Sequence, residues 1–261
     1  MRTSPNLFYR RLGGVIMALV RTFQATQKMR ALKNHAKSYA WDAPEVQQIT
    51  REWAQGVLKD LNVSVNVEGK PTTEAAIFVG NHLSYIDIIA LYSVQHLCFV
   101  AKSEVGTWPI IGEGTRIAGS IFVERGSPRS RIETAETLGR VVAEEGRKVC
   151  IFPEGTTSIE GKNWRRGVFR VAQDKKLIMQ PMGFVYEPIR RAAYIDDDTL
   201  FFHMWHLIQA EPTKLTIRFF EPRQIQNADE DMSAMQKEVR AWVDVRLQEQ
   251  GYFESDVGYL E

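Results

Sequence analysis

A histidine followed five residues later by an aspartate, His82 and Asp87 in AAIFVGNHLSYIDIIAL, is the pairing in this chain best suited to moving a proton. A carboxylate bonded to one imidazole nitrogen fixes the tautomer and raises the basicity of the other nitrogen, which makes a general base. On a regular helix the two side chains would diverge by about 140°. The pair therefore requires His82 in a turn and Asp87 in the first turns of a following helix. His206 and Glu211 repeat the spacing, but His206 lies within an amphipathic stretch and reads as structural. His82 instead follows the apolar run AAIFVG, with Asn81 and Ser84 beside it, and strand C-terminal ends are where α/β sheets bind ligands.

A second polar cluster lies in KVCIFPEGTTS. Its apolar run stops at Pro153, which removes a ladder donor, and Gly155 lets backbone approach a ligand. The segment is thus shaped to display Glu154, Thr156 and Thr157, although an ordinary Pro-Gly turn with a capping threonine has the same pattern. Lys102 at the end of LCFVAK and Arg125 in GSIFVERG are cations at strand ends, suited to a phosphate or carboxylate or simply to solvent. Cys98 and Cys150 sit in apolar runs with no CxxC, as buried thiols of a reducing cytosol do. No metal is expected: the adjacent carboxylates Asp196, Asp197 and Asp198 cannot all face one ion and read as a loop and helix N-terminus. GEGTRIAG is not a dinucleotide fingerprint, and no GxSxG elbow, HExxH or Walker lysine occurs.

The elements that must hold these residues alternate. A helix over 44–61 precedes the extended VSVNVEG. Strand-like runs at 75–80 and 97–102 and in GSIFVERG, KVCIFPEG, IMQPMGF and KLTIRFF are separated by helical patterns at 129–145, 166–175, 199–209 and 232–250. Alternation with strongly apolar strands predicts an α/β fold, a mostly parallel central sheet covered by helices. At 261 residues, 44% hydrophobic and 25% charged, the chain is neither disordered, collagen-like nor polytopic. No linker divides it, so one domain is expected over 66–261, preceded by a helical extension over 1–65.

That extension is basic. Eight cations precede the first acidic residue, Asp42, and leave the remainder net acidic although the whole chain is only +1. Leu7, Phe8, Leu12, Val15, Ile16, Leu19 and Phe23 recur at helical spacing between the arginines. The unbroken apolar run over 12–20 is too short to span a bilayer, and no cleavage site marks a signal peptide. An apolar stripe with basic flanks fits an anionic membrane surface, or else packs on the core with its arginines solvated. Nucleic acid is not expected, for want of any binding motif.

Together these segments resemble the PlsC-like glycerophospholipid acyltransferases, the 1-acylglycerol-3-phosphate acyltransferase family. The resemblance covers roughly 75–184 through four ordered blocks: NHLSYID for the family's NHxxxxD (HxxxxD motif), GSIFVER, FPEGTTS and QPMGF. It implies a glycerolipid acyltransferase-like fold with His82 as the base and Asp87 as its orienting partner. Lys102 and Arg125 would contact the acceptor headgroup, and Glu154, Gly155 and Thr156 would form part of the acceptor site. It also implies work at the cytoplasmic face of a membrane, peripheral or monotopic, on a membrane lipid substrate. Acyl carrier protein or coenzyme A would bring the acyl group as a thioester co-substrate, with no cofactor. The expected product is phosphatidic acid from 1-acylglycerol 3-phosphate. One position departs from the pattern: the third block usually reads EGTRS, its arginine binding phosphate, and Thr157 stands there. Arg165 and Arg166 in NWRRGVF supply nearby charge, with Arg166 taken as the contact. Without such compensation the acceptor is that of the related lyso-ornithine lipid O-acyltransferases, which share the four blocks. The rival from another class is a non-catalytic lipid-binding protein on the same fold.

Overall fold

The computed structural model describes residues 5–35, 40–107, 111–123, 128–195 and 198–252. Two helices, α1 (Pro5–His35) and α2 (Pro44–Asp60), lead into β1 (Val63–Glu68). There follow β2 (Ile77–Gly80), α3 (Ile86–Val94), β3 (Cys98–Lys102), a 3-10 turn (Ser103–Thr107), α4 (Ile111–Ile117), β4 (Ile121–Val123), α5 (Pro128–Glu145) and β5 (Val149–Ile151). The chain continues through α6 (Gly167–Asp174), β6 (Ile178–Glu187), α7 (Ile189–Ala192), α8 (Leu200–Leu207), β7 (Thr213–Phe219), β8 (Arg223–Gln224) and α9 (Ala228–Glu249). Local chemistry fixes several ends. Pro44 opens α2, where its missing N–H costs nothing. The Asn227 side chain accepts from the Asp229 and Glu230 N–H groups to cap α9, whose first turn is acidic as the helix dipole favours.

The strands join in the order β1-β7-β6-β2-β5-β3-β4, with β8 beside β6. The pairs β1/β7, β2/β6, β2/β5, β3/β5 and β3/β4 are parallel, whereas β6 runs antiparallel to both β7 and β8. The expected mostly parallel sheet is thus present, with one antiparallel seam. Along one side of β6 the neighbour changes from β8 at Met179 to β7 at Met182. Gln180 and Pro181 occupy that gap, where proline's lack of a donor does least harm. The buried Gln180 amide accepts from Thr72 N–H and donates to the Lys70 and Phe220 carbonyls. Strand β2, central and entirely buried, reads IFVG. Helices α1, α2 and α3 pack in one series, and α5, α6 and α9 in another.

The boundary expected at residue 65 falls inside β1, whose ladder to β7 is continuous from Val63 to Glu68. Helix α2 contributes Ala54, Val57 and Leu58 to the same core as the sheet. Helix α1 packs on α2, α4 and α8. Its Val15, Ala18 and Met29 are buried, while Phe8, Leu12, Ile16, Leu19 and Phe23 of the expected stripe remain exposed. The arginines differ from expectation: Arg11 donates to the Ile208 carbonyl, Arg21 pairs with Asp60 and Arg30 with Glu113. Arg10 likewise donates to the Ala210 carbonyl, so four cations expected to face an anionic partner tie α1 to the protein, because carboxylates and carbonyls lie within their reach. No described helix is long and apolar enough to cross a membrane.

The close seat of α1 has a measurable consequence at Gly14. A Cβ there would lie 2.5 Å from the Asp60 carbonyl oxygen and 2.7 Å from Ile208 Cδ1. Helix propensity alone would favour alanine by about 1 kcal/mol, but overpacking against backbone costs about 1–3 kcal/mol. Gly14→Ala is expected to lower the urea midpoint at unchanged m-value. A raised midpoint would show that α1 does not seat on α2 as described.

Candidate active site

Parallel register brings the two sequence clusters together. Ile77 of β2 lies opposite Val149 of β5, and Val79 opposite Ile151, so both strands end side by side and release their chains at one edge of the sheet. The peptide after β2 carries Asn81 and His82, and that after β5 carries Phe152 to Ser158. The Ser158 N–H donates to the His82 carbonyl at 2.9 Å, joining the two turns. On the other side of β2, the longer β6 continues beyond Gly80. Asn81 bridges to it, donating to the Phe184 carbonyl and accepting from the Phe184 N–H at 3.0 and 2.9 Å.

His82 does precede the helix and Asp87 does lie in the first turn of α3. His82 Nδ1 is 2.8 Å from Asp87 Oδ2. A carboxylate only accepts, so the proton belongs on Nδ1 and the lone pair on Nε2. The same Oδ2 accepts from the Leu83 and Ser84 N–H groups at 2.8 and 3.0 Å, and Oδ1 accepts from the Tyr186 hydroxyl at 2.6 Å. The Asp87 side chain is fully buried, whereas His82 keeps 17% of its side-chain surface open. Phe152 stacks on the imidazole at 3.9 Å and 8°, which sets the plane of the ring as Asp87 sets its edge. The base is thus held in two independent directions, and it stays partly open while Asp87 and Tyr186 behind it are buried.

Tyr186 and Phe152 were missed in the sequence. Tyr186 is ninety-nine residues from Asp87, and its only signal was that the strand pattern of IMQPMGF continues through Val185 to a hydroxyl. Burial, together with the Asp87 charge, pushes the Tyr186 phenol well above its usual range and so keeps it a donor. Burial likewise raises the Cys150 thiol well above its ordinary value, reinforced by Asp87, and Cys98 to about 11. Neither cysteine supplies a thiolate near neutral pH.

The second turn serves two ends. Glu154 is only 4% exposed and accepts from the Lys162 N–H and from Trp164, so it anchors the 161–164 loop. That use of the carboxylate is internal, whereas an acceptor contact was expected. Thr156 is exposed and Thr157 half-buried. Gly155 has φ +78°, a conformation glycine adopts without strain, and a Cβ on it would lie 2.8 Å from the Arg165 guanidinium. Arg165, rather than the expected Arg166, therefore stands over this turn, since the Arg165 N–H is bonded to the Pro153 carbonyl. Arg166 is the exposed residue before α6. The Lys102 side chain and Arg125 lie outside the described residues, although the Lys102 backbone ends β3, adjacent to β5. His206, set aside as structural, bonds the Phe202 carbonyl of its own helix.

Two outcomes follow from the buried groups. Tyr186→Phe removes a bond to a charged acceptor and should cost about 1.5–3 kcal/mol of unfolding free energy, against about 1 for a neutral bond; denaturant titration reads the difference. Burial raises the Glu154 carboxyl from an ordinary 4.5 to about 7. The native protein then holds a proton that the unfolded chain releases, so this contribution is full below pH 4.5 and is lost as pH rises through 7, on the order of 3 kcal/mol in all. Glu154→Gln should therefore melt increasingly above wild type as pH rises across that window. A constant difference would contradict the burial of this carboxyl.

Comparison with known proteins agrees with this geometry. A family described as Acyltransferase matches residues 63–185. The lyso-ornithine lipid O-acyltransferase of Pseudomonas aeruginosa is 34% identical over 196 residues, which are 71% of this chain and 74% of that one. The 1-acyl-sn-glycerol-3-phosphate acyltransferase of Neisseria meningitidis serogroup B is 35% identical over 113 residues, 41% of this chain and 42% of that one. The crystal structure of the 1-acyl-sn-glycerophosphate (LPA) acyltransferase PlsC from Thermotoga maritima shares the fold with TM-score 0.73 at 19% identity, over 92% of this chain and 96% of that one. Sequence blocks, sheet and relatives converge: the chain belongs to the PlsC-type acyltransferase family and is an acyltransferase.

Proposed function

We propose that the chain transfers a fatty acyl group from a thioester, acyl carrier protein or coenzyme A, to the free hydroxyl of a lysolipid. The observation that carries this reading is the His82–Asp87 bond with Nε2 left as the lone pair. Nε2 takes the hydroxyl proton as the oxygen attacks the thioester carbonyl. The tetrahedral oxyanion collapses with breakage of the C–S bond, and the imidazolium returns the proton to the departing thiolate. A thioester is already activated, so no covalent enzyme intermediate is needed. Asp87, buried and charged, favours the imidazolium in that transition state.

For the acceptor we take 1-acyl-sn-glycerol 3-phosphate first, giving phosphatidic acid. Arg165 over the Glu154-Gly155 turn supports this, because it brings a forked cation close to the position Thr157 leaves uncharged. Lys102 and Arg125 complete the headgroup site in this proposal. A lyso-ornithine acceptor is the second reading, supported by the Pseudomonas aeruginosa relative and by Thr157 itself, since a carboxylate and ammonium need one forked cation only. The exposed apolar side of α1 is proposed to rest on a membrane at its cytoplasmic face.

His82→Ala should reduce acyl transfer about 10²–10⁴-fold in a folded protein. Asp87→Asn should cost nearly as much, and the double variant little more than His82→Ala alone, because the two act as a unit. Substantial turnover by folded His82→Ala would overturn the mechanism. To separate the acceptors, Arg165→Ala and Thr157→Arg are assayed on lysophosphatidate and lyso-ornithine lipid in parallel. The first reading expects robust wild-type use of lysophosphatidate and a roughly tenfold or greater rise in its apparent KM in Arg165→Ala. Weak wild-type use, improved by Thr157→Arg, establishes the second.

A further inference from the structure

Helix α8 presents an unusual outer surface. Phe201 and Phe202 are 55% and 63% exposed, with Leu200 beside them, while His203, Met204 and Leu207 are buried beneath. Phe201 lies against Trp205, and Trp205 against Phe8 of α1, at ring-centroid distances of 6.3 and 5.4 Å. The aromatic face of α8 is thereby continuous with the exposed Phe8, Tyr9, Leu12 and Ile16 of α1. Contiguous apolar surface of this kind marks a docking face.

The inner side of α8 braces the catalytic turn. The Tyr85 hydroxyl meets His203 Nδ1 at 3.1 Å, and His203 Nε2 faces the Ala193 carbonyl at 3.2 Å. A carbonyl only accepts, so Nε2 carries the proton and Nδ1 accepts from Tyr85. The Tyr194 N–H donates to the Leu83 carbonyl at 2.8 Å, and the rings of Tyr85, Tyr194 and His203 pack edge to face. Residues 83 and 85 belong to the turn that begins at His82. The outer aromatic face and the catalytic turn are thus opposite sides of one braced unit.

We propose that the outer face of α8 inserts into the lipid surface beside α1, as a second membrane contact that holds the His82 turn at the level of the bilayer interface. This rests on the reading of the chain as a lysolipid acyltransferase working at a membrane. Charge points to lipid as the occupant. Neither α1 nor α8 contains an acidic residue, and Lys28 and Lys33 stand exposed along α1, as does Arg10 while donating to the Ala210 carbonyl, giving the cationic border that an apolar face requires on an anionic bilayer. Asp198 precedes α8 and accepts from the Ile195 N–H. With Arg11, Arg21 and Arg30 engaged in the protein, insertion of rings outweighs charge, so binding should survive moderate salt.

The test is Phe201→Ser with Phe202→Ser in the full chain, cosedimented with vesicles of equal phosphatidylglycerol and phosphatidylcholine. Both rings are more than half exposed and rest only on each other and on Trp205 among the described rings, so the melting temperature should fall by no more than a few degrees. Partition should fall about tenfold per ring, the change expected for burying the exposed part of one phenyl group. Acyl transfer to a soluble short-chain lysolipid should be retained while transfer to vesicle-borne lysolipid falls. Partition equal to wild type overturns the proposal, as does a wild-type dimer that the double variant dissolves, which would assign the face to a second copy. Loss of vesicle binding in the double variant, with a wild type that acylates neither lysolipid, supports the surface and counts instead against the lysolipid reading.

Discussion

A carboxylate with no solvent-exposed surface is the constraint on which the rest of this structure turns. Burying a carboxylate costs several kcal/mol even after relaxation, and four donors converge on Asp87 to offset that cost. Two are backbone N–H groups of the turn before α3, one is the imidazole of His82, and one is a phenol from β6. Each of these parts of the chain is thereby committed to a place. The N-terminus of α3 adds its dipole in the same direction. Stability and chemistry share one interaction here, since the group that would be intolerable unpaired is the group that orients the base.

The sheet explains why those donors can meet. With β2 flanked in parallel by β5 and β6, three strand ends face one way. The shorter β5 places Phe152 under the imidazole, and the longer β6 carries Tyr186 past the end of β2 to reach the carboxylate from behind. Strand length, more than loop design, distributes the roles. The antiparallel seam supports this edge from the far side, because beyond Gly80 it is the ladder to β7 that carries Phe184 and Tyr186.

Much of this was legible in the sequence, and the boundary of legibility has a physical cause. Alternating apolar strands and helices predict the sheet, and the five-residue spacing of His82 and Asp87 demands a turn followed by a helix, because the contact is local. Tyr186 and Phe152 were illegible since their contacts depend on register between strands far apart in sequence. The choice between Arg165 and Arg166 depends on a single backbone bond to Pro153, which adjacent identical side chains do not reveal. In α1 the apolar stripe was legible, but the destination of its arginines was not: Asp60 and Glu113 approach only once α2 and α4 are packed. Helix α4 itself was missed, with two glycines in seven residues weakening its pattern.

Asn81 has a wider consequence. Its amide gives Phe184 one donor and one acceptor, which two different residues would have supplied had the parallel β2 continued. A side chain stands in for main-chain groups at the point where the main chain must leave the sheet. Aspartate would lack the donor, and glutamine would overshoot by a methylene. The sheet is thereby closed without dictating the path of the next residue, and the backbone at His82 is released from strand geometry while its neighbour stays sealed against water. The catalytic turn owes its freedom of shape to a splice one residue long.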